Sequence, residues 1–483
     1  MVFNSLPFTF FFLIFFFLYW FVFNRNLKLQ NVLVLGGSYF FYAWWDWRFL
    51  TLLIGATALN FLLGIFIDRT TNEPRKRWLL IIGLIQGLGG LIVFKYFNFF
   101  ISSFVDAFAA VNIQLSVHTI RIILPLGISF YTFRTISYLL DIYKGKIKPT
   151  SDWVVFFSYV SFFPSLISGP IDRANLLIPQ LEKKREFKYD QAVDGFRQIL
   201  WGLFKKVVVA DNCAIYTNQV FDNFETLPAS SLILGLFFFT IQIYADFSGY
   251  SDMAIGFARL LGFNITKNFD FPFFSQNIAE FWQRWHISLT SWMTEYVFTP
   301  LSIHFRDLGN RGLILAILIN FLIIGMWHGA NWTFVLFGLL HGSYYIPLIL
   351  QGKIFKKKKS LKGKLIPSFA EFRNMLGVFL MAMVGFVIFR SDNISDAFSF
   401  YGKLFSPSIL TFPVVSSKMG AFVTMIFIIV LFIIEWFGKG KEHAIADLQV
   451  NFSRPLRWGI YYMLIVTIFF FAATGKEFIY FQF

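Results

Sequence analysis

Charged side chains are scarce in this sequence of 483 residues, where Asp, Glu, Lys and Arg together make up 14%. A soluble chain carries roughly a quarter of its residues as charge and covers its core with them, so a water-facing globule is excluded. Cysteine is almost absent as well. The single Cys213 excludes an internal disulfide, and with it a disulfide-built secreted fold. The motifs of nucleotide and metal chemistry are missing: there is no GxxxxGK(S/T), no GxGxxG between a strand and a helix, no HExxH, no CxxC and no closely spaced histidine pair. ATP-driven transport, dinucleotide chemistry and a bound metal are therefore not expected. Without a Gly-x-Ser-x-Gly elbow, neither is an internal serine nucleophile.

What the chain has in quantity is apolar surface: 57% of its residues are hydrophobic and 69 are phenylalanine. These residues fall in blocks such as 8–23 and 419–437, close to the roughly 20 residues a helix needs to cross a bilayer. The reading is an all-α, polytopic integral membrane protein. Its net charge of +15 suggests nucleic acid only until the positions are inspected. Basic residues cluster in short connections between apolar blocks, at Arg25 and Lys28, at Arg69 and Arg75 to Arg77, at Lys144 to Lys148, at Lys183 to Arg185, at Lys353 to Lys359 and at Lys439 to Arg457. That is the pattern of cytoplasmic loops facing anionic lipid, and no folded basic domain exists to display a nucleic-acid groove.

An exterior N-terminus puts the first three of these clusters on one side of the membrane and leaves 97–120, which has no Lys or Arg, outside. The first apolar block has no basic n-region before it and no small-residue cleavage site after it, so it reads as an uncleaved span. Trp44, Trp45 and Trp47 fit an interfacial aromatic belt at an exterior turn.

The middle third differs. Residues 183–206 place Phe187, Val193, Phe196, Leu200, Leu203 and Phe204 at three- and four-residue spacings among charges, which predicts an amphipathic helix at the cytoplasmic surface. Segments 152–180 and 264–304 are too interrupted to cross simply, and irregular backbone at membrane depth survives only where protein buries it or a wet cavity adjoins it. Simple spans resume at 311–326, 332–350, 374–390, 419–437 and 458–473. The whole of 1–483 reads as one transmembrane domain, with N-terminal spans in 1–150, a functional core with re-entrant segments in 151–350 and C-terminal spans in 351–483. No internal repeat is visible, which disfavours an inverted-repeat transporter.

Of the six histidines, only His286, His328 and His341 are embedded in apolar or aromatic sequence. An imidazole following the uncharged run 311–326 is expensive unless it faces a cavity or a partner. His328 therefore suits a general base acting on a hydroxyl, or a buried ring tying two helices together. Upstream, Asp246 and Asp252 lie in the hydrophobic stretch 232–261, where carboxylates must be paired, hydrogen-bonded or protonated. They either orient the histidines or bond Arg284 or Arg259 and lock the fold, the structural role being favoured. A polytopic transporter or polymer-export subunit using Asp246, Asp252 and Glu280 as a proton relay is the reading of a different class.

The strings Trp285-His286-Ile287-Ser288-Leu289, Gly325-Met326-Trp327-His328-Gly329 and Tyr244-Ala245-Asp246-Phe247-Ser248-Gly249 closely resemble the membrane-bound O-acyltransferase family, and within it the bacterial alginate O-acetylation branch. So do Leu124-Pro125-Leu126-Gly127, Ser168-Gly169-Pro170-Ile171-Asp172-Arg173 and the closing 478–483. The resemblance implies a fold of about 11–12 transmembrane helices, with re-entrant and amphipathic helices around a thinned centre. It implies transfer of an acyl group, acetyl above all, from a cytoplasmic thioester such as acetyl-CoA or an acyl carrier, with no tightly bound cofactor. The acceptor is an extracytoplasmic polysaccharide or other envelope glycan, and D-alanyl transfer to teichoic acid is the alternative within the family. His328 corresponds to the family's essential histidine and His286 to a second one, with Asp246, Asp252, Trp285, Trp327 and Asn331 in support. A bacterial inner-membrane location follows, as does a separate periplasmic or extracellular acetyltransferase subunit. That subunit is expected because the exterior loops are too short to grip a polymer. Its candidate docking edges lie around Trp44 to Trp47 and 97–110.

Overall fold

The computed structural model describes residues 1–115, 122–354, 356, 361 and 363–473. His118, Lys357 to Lys359 and the 478–483 string lie outside the described residues. Among these residues every regular element is a helix, with no strand. Seven helices are long and apolar enough to cross a membrane: Leu27–Arg69, Glu73–Ala109, Ala229–Leu260, Arg306–His328, Trp332–Leu350, Phe369–Arg390 and Lys418–Gly438. Leu6–Val22 is a shorter apolar helix. The protein is a multi-pass membrane protein.

The chain forms two compact units, residues 1–196 with 254–266, and residues 197–253 with 267–483. In the first, helices α1 (Leu6–Phe17), α2 (Leu27–Arg69), α3 (Glu73–Leu91), α4 (Ile128–Tyr143) and α5 (Trp153–Ser161) surround an aromatic core. In that core the ring of Phe8 meets Phe41 edge-on at 5.9 Å and Phe257 at 4.9 Å. The turn expected at Trp44 to Trp47 is reduced to one extended residue inside α2, Asp46, whose carboxylate pairs with Arg48 at 2.6 Å. The loop expected over 97–120 is a helix from Phe97 to Ala109, because a phenylalanine-rich segment without glycine or proline continues the helix preceding it.

Helices α6 (Tyr189–Leu203) and α7 (Ala229–Leu260) each contribute to both units. The amphipathic surface helix expected over 183–206 begins only at Tyr189 and runs on as a π-helical segment, Phe204–Ala210, that is buried throughout. Glycine explains the burial. A Cβ on Gly202 would meet the Gly249 carbonyl oxygen at 2.5 Å, so the two backbones touch and the end of α6 is pressed against α7, while Tyr189 and Phe196 stay 73% and 59% exposed.

The second unit continues with α8 (Ile278–Arg284), α9 (Ile287–Met293), α10 (Gly309–His328), α11 (Trp332–Ser343), α12 (Phe369–Arg390), α13 (Lys418–Gly438) and α14 (Arg454–Phe471). The 264–304 stretch is a series of short helices, none long enough to span, as its interruptions predict. Helices α10 and α11 form a close hairpin. A Cβ on Gly325 would meet the Phe334 carbonyl oxygen at 2.2 Å, and one on Gly338 would meet that of Phe321 at 2.2 Å. Without hydrophobic driving force between helices in lipid, backbone contact of this kind supplies the association.

Candidate active site

The second unit collects the candidate residues. His328 is the last residue of α10, 5% exposed, and Asn331 starts α11 three positions later by accepting a hydrogen bond from the Thr333 N–H at 3.0 Å. The Asn331 amide also donates to the Asp392 carbonyl at 2.7 Å. Asn331 is thus a helix cap that fixes the turn after His328. Around the His328 imidazole stand Phe389 at 5.2 Å, Phe337 at 5.9 Å and Phe334 at 6.5 Å.

His286 arrives from a different direction. It is fully buried and sits between α8 and α9 in the left-handed region, φ 47°, which L-residues other than Asn, Asp and His seldom adopt. Asn268 holds this corner. Its carbonyl accepts from the Ile287 N–H at 2.8 Å, and its side-chain oxygen accepts from the Ser288 hydroxyl at 2.9 Å. Its amide in turn donates to Ser251 on α7 at 3.2 Å. Sequence reasoning passed over Asn268, a buried amide in a loop with no motif around it.

The corner turns the His286 ring onto Phe247 at 4.7 Å and Trp327 at 5.4 Å. Trp327 in turn lies 5.0 Å from the His328 ring. The two imidazoles expected to act together therefore share one indole neighbour. Burial lowers the pKa of His286, which leaves the ring neutral, with one nitrogen lone pair able to accept a hydrogen bond. Trp285, just before it, packs among Phe281 at 5.4 Å, Phe269 at 5.2 Å and Phe386 at 5.7 Å, and sets the wall of the site. His341 lies on α11 with Phe337, shared with His328, at 4.5 Å. Its Nδ1 accepts from the Trp282 indole at 3.3 Å, a packing tie between α8 and α11.

The two aspartates differ from expectation. Arg284 pairs with Glu280 at 2.7 Å, and Arg259 with Asp194 at 2.5 Å. Asp246 pairs instead with Lys206 at 2.8 Å, and Asp252 with Lys205 at 2.6 Å, from the buried π-helical segment. Lys206 also reaches Asp211 at 2.8 Å, and Lys205 donates to Ser248 at 3.0 Å. Burial works against the Lys206 charge, but the carboxylates of Asp246 and Asp211 outweigh it and raise its pKa. Sequence reasoning places these lysines in an amphipathic helix at the cytoplasmic surface; the run Val207-Val208-Val209-Ala210 immediately after them is the signal of burial.

In the first unit, the string 168–173 and α4 meet in a structural knot. Arg134, fully buried, donates to the carbonyls of Ser165 at 2.9 Å and Pro170 at 3.2 Å and lies 3.6 Å from Asp172. Asp172 also accepts from the Ser165 hydroxyl and the Thr266 N–H, both at 2.9 Å. Among the described residues no three His, Cys, Asp or Glu side chains gather as a metal-holding group.

The α10–α11 contact positions His328 and Phe337 together. A Gly338→Ala chain must part the hairpin to accommodate a methyl at 2.2 Å from backbone, a strain of roughly 1–3 kcal/mol. A shift of this kind near reacting groups costs up to about a hundredfold in rate. Activity normalised to membrane abundance is expected to fall at least about tenfold, with abundance falling much less.

Residues 148–389 match the family model described as MBOAT, membrane-bound O-acyltransferase family. The chain is 38% identical over 413 residues to a probable alginate O-acetylase of Pseudomonas syringae pv. tomato, covering 84% of this chain and 75% of that protein. It is 36% identical over 381 residues to a peptidoglycan O-acetyltransferase of Helicobacter pylori, covering 71% and 69%. A teichoic acid D-alanyltransferase of Streptococcus thermophilus is 29% identical over 293 residues, covering 55% of this chain and 68% of the relative.

Proposed function

The chain belongs to the membrane-bound O-acyltransferase family, and from that premise we propose that it takes acetyl from a cytoplasmic thioester, acetyl-CoA or an acyl carrier, for O-acetylation of an envelope polysaccharide. The observation that carries the reading is the packing of both His286 and His328 against one indole, that of Trp327. In this reading His328 takes the proton of the acceptor hydroxyl as its oxygen attacks the thioester carbonyl. The carbon–sulfur bond then breaks, and the proton passes to the departing thiolate. His286, neutral and held by the Asn268 corner, orients the reacting groups through the indole wall. Asp246 and Asp252 support the fold from their lysine pairs.

The basic clusters support a bacterial inner-membrane location with the N-terminus exterior. Short exterior connections support a separate periplasmic or extracellular acetyltransferase subunit that receives the acyl group and modifies the glycan. D-alanyl transfer is the second reading, favoured by the 29% identity to a teichoic acid D-alanyltransferase. Mass spectrometry of the envelope polymer from cells with and without this chain separates the two. Acetyl esters that disappear with the chain are expected; loss of alanyl esters with acetyl esters unchanged would replace acetyl by D-alanyl.

A further inference from the structure

We propose that the groove between the first apolar helix and the 184–187 segment binds one anionic phospholipid. The groove belongs to the first unit, encloses about 500 Å³ and is lined by Phe16, Trp20, Phe21, Arg25, Lys184 and Phe187, with Arg185 and Glu186 beside them. Its charge is unbalanced: three cations face one carboxylate. The imbalance is deepest at Arg185, which is 6% exposed. Its guanidinium meets only neutral acceptors, Gln30 Oε1 at 2.9 Å, Asn31 Oδ1 at 2.6 Å and the carbonyls of Gln180 and Leu181 at 3.3 and 3.4 Å. The ring faces of Tyr19 and Phe263 lie 5.7 and 5.0 Å from it. A buried cation without a counter-charge is costly, and an anion placed nearby offsets that cost.

Arg25 and Lys184 are exposed and make no ion pair among the described residues, so both are free to take a phosphate. The remaining wall is aromatic. Phe187 packs edge-on against Trp20 at 5.4 Å and Phe16 at 6.4 Å, and the Trp20 indole is fixed by donating to the Leu260 carbonyl at 2.9 Å. Phe21 is 70% exposed and Phe187 50%. A soluble phosphate would satisfy the cations and leave this wall bare. A phospholipid satisfies both, with its phosphate between Arg25 and Lys184, in the field of Arg185, and an acyl chain along Phe16, Phe21 and Phe187.

Native mass spectrometry of the full chain in a neutral detergent, titrated with phosphatidylglycerol or phosphatidylcholine of matched chains, tests this. One phosphatidylglycerol is expected to be retained per chain in preference to phosphatidylcholine. The Arg25→Ala/Lys184→Ala chain is expected to bind it roughly thirtyfold more weakly, about fivefold for each cation removed. Both side chains are exposed and unpaired, so folding is spared, and Arg75→Ala/Arg77→Ala in another basic connection is expected to change nothing. Equal retention of the two lipids, an unchanged preference in the Arg25/Lys184 variant, or displacement of the lipid by millimolar inorganic phosphate would overturn the site.

Discussion

A His328→Ala chain accumulates in the membrane near its normal level and leaves the envelope polymer almost without acyl esters. The expected loss is about 10²- to 10⁴-fold, the range a positioned proton acceptor supplies. His328 stands at the end of α10, in a turn held by Asn331 through its bonds to Thr333 and Asp392, and its ring is not needed for either bond. His341 provides the comparison. It is also buried, and its Nδ1 receives the Trp282 indole hydrogen, so His341→Ala removes a tie and leaves that donor buried without a partner, at a cost of roughly 1–3 kcal/mol. That variant is expected to lower abundance and melting temperature more than specific activity. Normal acetylation by His328→Ala at normal abundance would refute the assignment, whatever His341→Ala does.

The sequence marks His286 and His328 as histidines in aromatic surroundings, their joint role comes from the family resemblance, and the structure adds the indole of Trp327 against which both pack. The left-handed backbone at His286 was not legible, because it depends on Asn268, which is distant from any motif and reaches the corner only once the 264–286 segment has folded back. The spans expected at 311–326, 332–350, 374–390 and 419–437 coincide with helices long and apolar enough to cross, since length and hydropathy alone specify such a helix. The errors lie where composition is ambiguous. A basic residue near an apolar run reads as interfacial, yet Lys205 and Lys206 are 3% and 4% exposed because the Gly202–Gly249 contact draws their helix inward. Likewise the absence of Lys and Arg from 97–109 said nothing about whether that segment is loop or helix. The string 168–173 reads as a motif, and in the structure its Pro170 carbonyl and Asp172 carboxylate face buried Arg134.

The second large effect is expected at Lys206. Its ammonium stands between Asp246 and Asp211, 2.8 Å from each, with the three residues 4%, 2% and 3% exposed. Lys206→Met keeps the length of the side chain and removes the charge, leaving two buried carboxylates facing each other. Breaking a buried pair from one side costs about 3–5 kcal/mol, since the remaining charge stays desolvated, and here two charges remain. The sign of the pH dependence follows from the raised pKa of Lys206 in the folded protein. Its stabilisation is complete below the ordinary lysine value of about 10.4 and is lost only as pH rises through the folded-state value, so assays near neutrality see the full contribution. Lys206→Met is expected to melt well below the parent chain in a thermal scan and to accumulate poorly. Adding Asp246→Asn recovers part of the loss, because it removes one stranded carboxylate and leaves Asp211. The same pair decides between lock and relay. If Asp246 carries protons, the Asp246→Asn chain loses activity at normal stability; if it balances Lys206, as the geometry indicates, the variant loses stability first and its acyl-transfer rate per folded molecule stays within about threefold of the parent.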